Sequence, residues 1–155
     1  MSKKVRHLDP VDDALVRELV RDGRRPNNAL ADRVGIAAST ALARIRLLVQ
    51  RGVIRGIHAD VDPAAVGCPV QAVIALRLRT HDADHVLGFA QRVSLLPEVI
   101  EVFHVSGSED FLVHVAVATT GDLRDFALES LTSDPVVAHA QTHLVFEHRR
   151  GSFMT

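Results

Sequence analysis

One cysteine, Cys68, stands in the 155 residues. That scarcity excludes an intrachain disulfide and a Cys-rich zinc site, and it suits a reducing cytoplasm better than secretion. Cys68 itself reads as a small apolar residue rather than a reactive thiol. Long hydrophobic runs are also missing: nothing approaches the ~20 apolar residues of a membrane span. The basic segment 1–7 runs into Leu8, Asp9 and Pro10 rather than an apolar stretch, so the expected location is the cytosol. No phosphate loop, nucleotide fingerprint or nucleophile–base pairing can be traced along the chain. No cofactor is expected.

Net charge is scarce as well, at −1, but the near-balance conceals two unlike parts. Residues 1–60 hold 12 Lys and Arg against 7 Asp and Glu, whereas residues 61–155 hold 6 against 12. The first part can attract phosphate and the second repels it.

The cationic part has the pattern of three short helices. Asp9 is a capping residue, Pro10 suits a first helical turn, and Asp12 and Asp13 complement the helix dipole. Val11, Ala14, Leu15 and Leu19 then recur at helical spacing, which predicts a helix over about 10–22, ended by Gly23. A second is predicted over 27–34, with Leu30, Ala31 and Val34 inward and Gly35 as its stop. A third is predicted over 38–51, stopped by Gly52. Two helices joined by a tight glycine turn are a helix-turn-helix. On the third, Ala41, Ile45 and Leu48 share one face, while Ser39, Ala43, Arg46 and Gln50 point away and Thr40, Arg44 and Leu47 flank. An outward face that is small, polar and cationic fits a DNA major groove. The candidate DNA contacts are Ser39, Thr40, Ala43, Arg44, Arg46 and Arg51.

The anionic part alternates differently. Residues 53–61 are strand-like and 62–67 form a hinge. Strands are predicted over 70–79, 99–106, 111–118 and 136–146, with helices over 83–93 and 123–131. The order βαββαβ is the ferredoxin-like arrangement, making the chain an α+β protein with domains 1–60 and 61–155. Leu76, Leu78, Val113, Val115 and Val117 supply one sheet face; Val73, Ala75, Leu112, Ala116 and Leu144 supply the other. With both faces apolar, the uncovered one is expected to meet a second copy, giving a homodimer.

Leu8, Asp9, Asp12, Asp22-Gly23-Arg24, Leu30-Ala31, Arg33-Val34-Gly35-Ile36, Arg44-Ile45, Leu48, Gly52-Val53-Ile54 and Gly56 together resemble the Lrp/AsnC family of transcriptional regulators. The resemblance implies a winged-type helix-turn-helix joined to a RAM-type effector-binding domain, with double-stranded DNA as partner. It further implies a small-molecule effector such as an amino acid, and dimers that assemble into octamers. A Gly-x-x-Asp turn and a threonine in the last strand of the family help form the effector pocket; the matching positions are Gly107, Asp110 and Thr142, with Ser106 where Thr is commoner. Three positions depart from the family pattern. Pro26 and Ala37 replace capping serines and Ala29 replaces a glutamate, each lost cap costing about 1 kcal/mol.

Two other readings stand beside this one. Nine histidines raise a metal-responsive regulator. His139 and His143, four apart on a strand, lie about 13 Å from each other, too far to share one ion, whereas His104 and His114 fall on neighbouring strands. The same two-part architecture also occurs in sirohaem decarboxylases, so an enzyme is the third reading.

Overall fold

The computed structural model describes residues 8–79, 82–151, 153 and 154; the basic segment 1–7 lies outside them. Two compact units form, one from residues 1–60 with 150–155 and one from 61–149.

In the first unit, α1 (Pro10–Arg21) starts as its sequence dictates, with the Asp9 carboxylate accepting the Asp12 N–H at 2.8 Å. α2 (Asn27–Val34) ends at Gly35, whose φ of 74° lies in the left-handed region that side chains disfavour. α3 (Ala38–Gln50) follows after a short turn. Leu15, Leu30, Ala31 and Ala41 form the buried centre of the three helices, edged by Val11, Leu19, Val34, Ile36 and Ile45. Neither Pro26 nor Ala37 makes a side-chain cap. Asn27 donates instead to the Ala38 carbonyl at 2.7 Å, which ties α2 to the start of α3 rather than capping a helix.

Residues 53–61 form no strand, contrary to the sequence pattern. A strand needs a neighbour to take its N–H and C=O groups, and none of the described residues lies alongside. Within the segment Ile57 packs over Gly23 so closely that an added Cβ there would sit 2.8 Å from the Ile57 methyl. Among the described residues, the wing of the expected winged fold is therefore an unpaired segment.

The second unit is a four-stranded antiparallel sheet in the order β2-β3-β1-β4. Its strands are β1 (Val70–Leu78), β2 (Val99–His104), β3 (Phe111–Val117) and β4 (Val137–Leu144). The crossovers are α4 (Ala83–Val93) and α5 (Thr120–Phe126), the latter running on into a π-helical turn over Ala127–Thr132. α5 begins three residues before the expected 123, because Thr119 and Asp122 form a reciprocal capping box. The helices cover one sheet face, where Ala72, Ile74, Leu76, Leu78, Phe111, Val113, Val115 and Val117 pack against Phe89, Val93, Leu123, Phe126 and Leu131.

The opposite face carries Val73, Ala75, Leu112 and Ala116 as expected, but Leu144 is not with them. It pairs with Ala72, whose side chain is on the helix-covered face, and residues directly opposite each other share a face. The cause is a bulge: the β4 register slips by one between Arg77 and Leu78, so Ala138 is an extra residue. Alternation counted from buried Val137 therefore reverses further along. The uncovered face is consequently mixed. Phe103 and Leu112 stand opposite each other beside Ala75, and Glu101 and His114 occupy the next row with Val73 and His143.

Candidate DNA-reading helix and effector loop

The geometry of α3 sorts the six proposed DNA contacts into two groups. Ser39, Thr40, Ala43 and Arg46 are exposed, on the side of the helix away from Ala41 and Leu48. Arg46 makes no ion pair with any of the described residues, and Gln50 extends the same face.

Arg44 and Arg51 are engaged elsewhere. The Arg44 guanidinium donates to Asp9 at 2.6 Å and to Asp12 at 2.8 Å, and Arg51 lies 3.6 Å from Asp12. Asp12 is buried, and a buried carboxylate without a cation would be costly. The cluster thus joins the start of α1 to the reading helix. The Asp9 carboxyl is held below its ordinary pKa, first by the Asp12 N–H and then by Arg44, and Arg44 is raised above its own by the two carboxylates.

A second ionic group was not anticipated from the sequence. Glu18 on α1 receives Arg25 in a very close pair, with Arg21 and Arg33 each at 3.3 Å. Arg21 follows Glu18 at i+3, a spacing that can be read in advance. The longer reaches from Arg25 and Arg33 depend on how α2 docks.

At the other unit, the loop between β2 and β3 is closed by the Val105 N–H donating to the Asp110 carbonyl at 2.9 Å. Gly107 takes φ of 130°, a value only glycine adopts freely, with open space where a Cβ would stand. Asp110 is pinned to β1: its N–H donates to the Leu76 carbonyl at 2.8 Å and its carboxylate accepts the Leu78 N–H at 2.7 Å. Ser106 is exposed, and one carboxylate oxygen of Glu109 is buried without a hydrogen-bond partner.

Thr142 is not brought to this loop. It faces Ile74 on β4, whereas Asp110 lies beyond the Leu76–Phe111 pair on the other side of β1. Two strand spacings and three residues along the strand separate them by about 14 Å. A pocket using both therefore cannot close within one chain.

The histidines divide between the faces. His104 pairs with Phe111 on the helix-covered side and His114 with Glu101 on the other, so these two do not converge. His114 meets Gln71 at 3.1 Å and the His148 ring edge-on at 5.4 Å. Burial lowers its pKa, His148 adds to the effect, and Glu101 opposes it. Among the described residues, no three His, Cys, Asp or Glu side chains are grouped to hold a metal ion.

Comparison with known proteins matches the chain to two domain families in succession. Residues 8–49 match the AsnC-type helix-turn-helix domain and residues 71–152 the Lrp/AsnC ligand binding domain. The HTH-type transcriptional regulator AldR of Mycobacterium tuberculosis is 47% identical over 153 residues, covering 97% of this chain and 86% of that protein. The leucine-responsive regulatory protein of Rhizobium meliloti is 37% identical, with 88% of each covered. The crystal structure of the M. tuberculosis AldR superimposes with a TM-score of 0.82 at 43% identity, over 93% of this chain and 98% of that one. A Neisseria meningitidis transcriptional regulator, solved as a complex with L-Met, gives 0.81 at 29% identity over 94% of each. The relatives carry the names of regulators, and both halves of the chain match in order: this protein belongs to the Lrp/AsnC family of helix-turn-helix, DNA-binding transcriptional regulators.

Proposed function

We propose that this regulator works in the cytoplasm without catalysing a reaction, reading double-stranded DNA with the outer face of α3 and changing its DNA affinity when an amino acid binds. The observation that carries the reading is the division of α3: Ser39, Thr40, Ala43 and Arg46 are exposed, while the opposite face packs inward and Arg44 is tied to Asp9 and Asp12. Small residues permit close approach, hydroxyls offer hydrogen bonds, and Arg46 is the cation available to a phosphate or guanine edge. Arg51 stays in the interface as a cation at the far end of the helix. Arg44 serves the interface by orienting α3.

The effector reading rests on the turn. Backbone donors around Ser106 and Gly107 suit an α-carboxylate, and Asp110, fixed by the Leu78 N–H, supplies a placed negative charge for an α-ammonium. The Neisseria relative's L-Met supports an amino acid as the ligand class. Because Thr142 is about 14 Å from Asp110 within one chain, its part in the pocket comes from a neighbouring copy. The uncovered sheet face is the homodimer surface, and dimers assemble further, to an octamer.

A DNA-binding titration against the gene's own upstream region, with and without each of the twenty amino acids, tests the whole reading. Salt-sensitive binding shifted by one amino acid is expected. Binding unmoved by all twenty would remove the effector, and no binding at all would remove the proposed role of α3.

A further inference from the structure

We infer that the uncovered face of the sheet is a proton-sensitive contact, and that the two copies it joins separate when its histidines take up protons. The inference rests on the reading of that face as the homodimer surface, and adds the condition under which the surface fails.

Four of the nine histidines gather here. His114 on β3 pairs with Val73 of β1, whose other neighbour is His143 on β4. His139, also on β4, pairs with Arg77. Leu76 and Leu78 on either side of Arg77 belong to the helix-covered core, so Arg77 and His139 stand on the uncovered side. The fourth is His148, beyond the end of β4, whose ring meets that of His114 edge-on at 5.4 Å.

Fixed charge is sparse on the same face. The strands put one arginine, Arg77, and one glutamate, Glu101, there, with no lysine or aspartate. In the segment after β4, Glu147 and Arg149 pair with each other at 2.7 Å. With neutral histidines the charges balance, and Val73, Phe103 and Leu112 are left to meet a second copy. Protonation adds up to four positive charges. A two-fold contact sets the patch against its own duplicate, so these charges meet their like and repel.

His114 is the position where a proton has most effect. It is only 7% exposed within the single chain. Its Nε2 lies 3.1 Å from the Gln71 amide oxygen, and an amide oxygen only accepts, so Nε2 carries the neutral ring's proton and a second proton falls on Nδ1. Burial holds its pKa below the ordinary histidine value, His148 adds to this, and Glu101 on the neighbouring strand opposes them. A second copy laid over the ring deepens the burial and lowers the pKa further. The joined form therefore holds fewer protons than the separated one. By linkage, the contact weakens as pH falls through the histidine range.

Sedimentation equilibrium of the full-length protein at about pH 7.5 and about pH 5.5, either side of the ordinary histidine pKa, tests this, with circular dichroism recorded at both. The monomer–dimer dissociation constant of the wild type should rise about tenfold or more on acidification. His114→Gln keeps a hydrogen-bonding side chain that takes no proton, and should lose most of that rise. His148→Gln makes the same change at an exposed position, should also lose most of the rise, and carries the test if His114→Gln does not fold. Equal association of the wild type at both pH values, or the full rise in a folded variant, would overturn the proton control and leave the homodimer standing. A wild type that is monomeric at the higher pH would overturn both. Acid loss of the circular dichroism signal in place of separation would overturn the proton control as well.

Discussion

The two units of this chain are stabilised by different means. The sheet unit is held by apolar burial: fourteen buried side chains from three strands, two helices and the turn after α5, among them Phe89, Phe111, Ile74, Val113 and Leu123, meet on one face of the sheet. The helical unit has a small centre of Leu15, Leu30, Ala31 and Ala41, no side-chain caps on α2 or α3, and two ionic clusters that tie its helices together. A small core with charged ties leaves the outer face of α3 exposed, whereas the sheet unit combines a large core on one face with a mixed uncovered face on the other. The difference makes the helical unit the one that depends more on ion pairs.

The largest effect expected from breaking the contrast is in the sheet. Phe111→Ala removes a fully buried ring and should cost about 3–5 kcal/mol, read as a lower denaturant midpoint for the sheet unit. A loss below about 1 kcal/mol would mean that the face is not packed as described.

A smaller and opposite change is expected in the helical unit. Ala37→Ser restores a capping hydroxyl before α3 and should add about 1 kcal/mol, visible as a higher thermal midpoint of that unit. No gain would show that the Asn27 tie to Ala38 already occupies this helix start.

The pH response of the helical unit should be smaller again. The Asp9 carboxyl has a folded-state pKa depressed below its unfolded one by the Asp12 N–H and Arg44. Its contribution is therefore complete above the ordinary carboxylate pKa and is lost as pH falls through the depressed value. In wild type the helical transition should soften below about pH 4, and in Asp9→Asn that part of the pH dependence should vanish. An identical acid profile in the variant would sink this assignment.

Much of this organisation was legible in the sequence, and the failures have physical causes. α1, α2 and α3 follow from Asp9-Pro10, Gly35 and Gly52 with periodic apolar residues, because these signals are local. The Thr119–Asp122 capping box is equally local and marks the true start of α5. The misplaced Leu144 is another matter: the bulge at Ala138 arises from how β4 meets β1, and no residue type announces it. The pattern at 53–61 has strand character without a strand, since pairing depends on a neighbour that the sequence does not specify. That Ser39, Thr40, Ala43 and Arg46 are exposed on α3 follows from helical phase alone. Arg44 and Arg51 were not separable from them, because a cation's partner is set by the docking of α1 on α3. Gly107 and Asp110 are recognisable as a turn, but the 14 Å gap to Thr142 follows only from strand order.

The most direct test of the account is the salt dependence of operator binding by wild type, Arg46→Ala and Arg44→Ala, measured at a temperature where circular dichroism shows all three folded. A phosphate contact contributes about 0.9 to the slope of log affinity against log salt. The account predicts that Arg46→Ala lowers the slope by about one, while Arg44→Ala weakens binding at every salt concentration and keeps the wild-type slope. A lower slope for Arg44→Ala with an unchanged one for Arg46→Ala would contradict the division of α3 into a reading face and a clipped one.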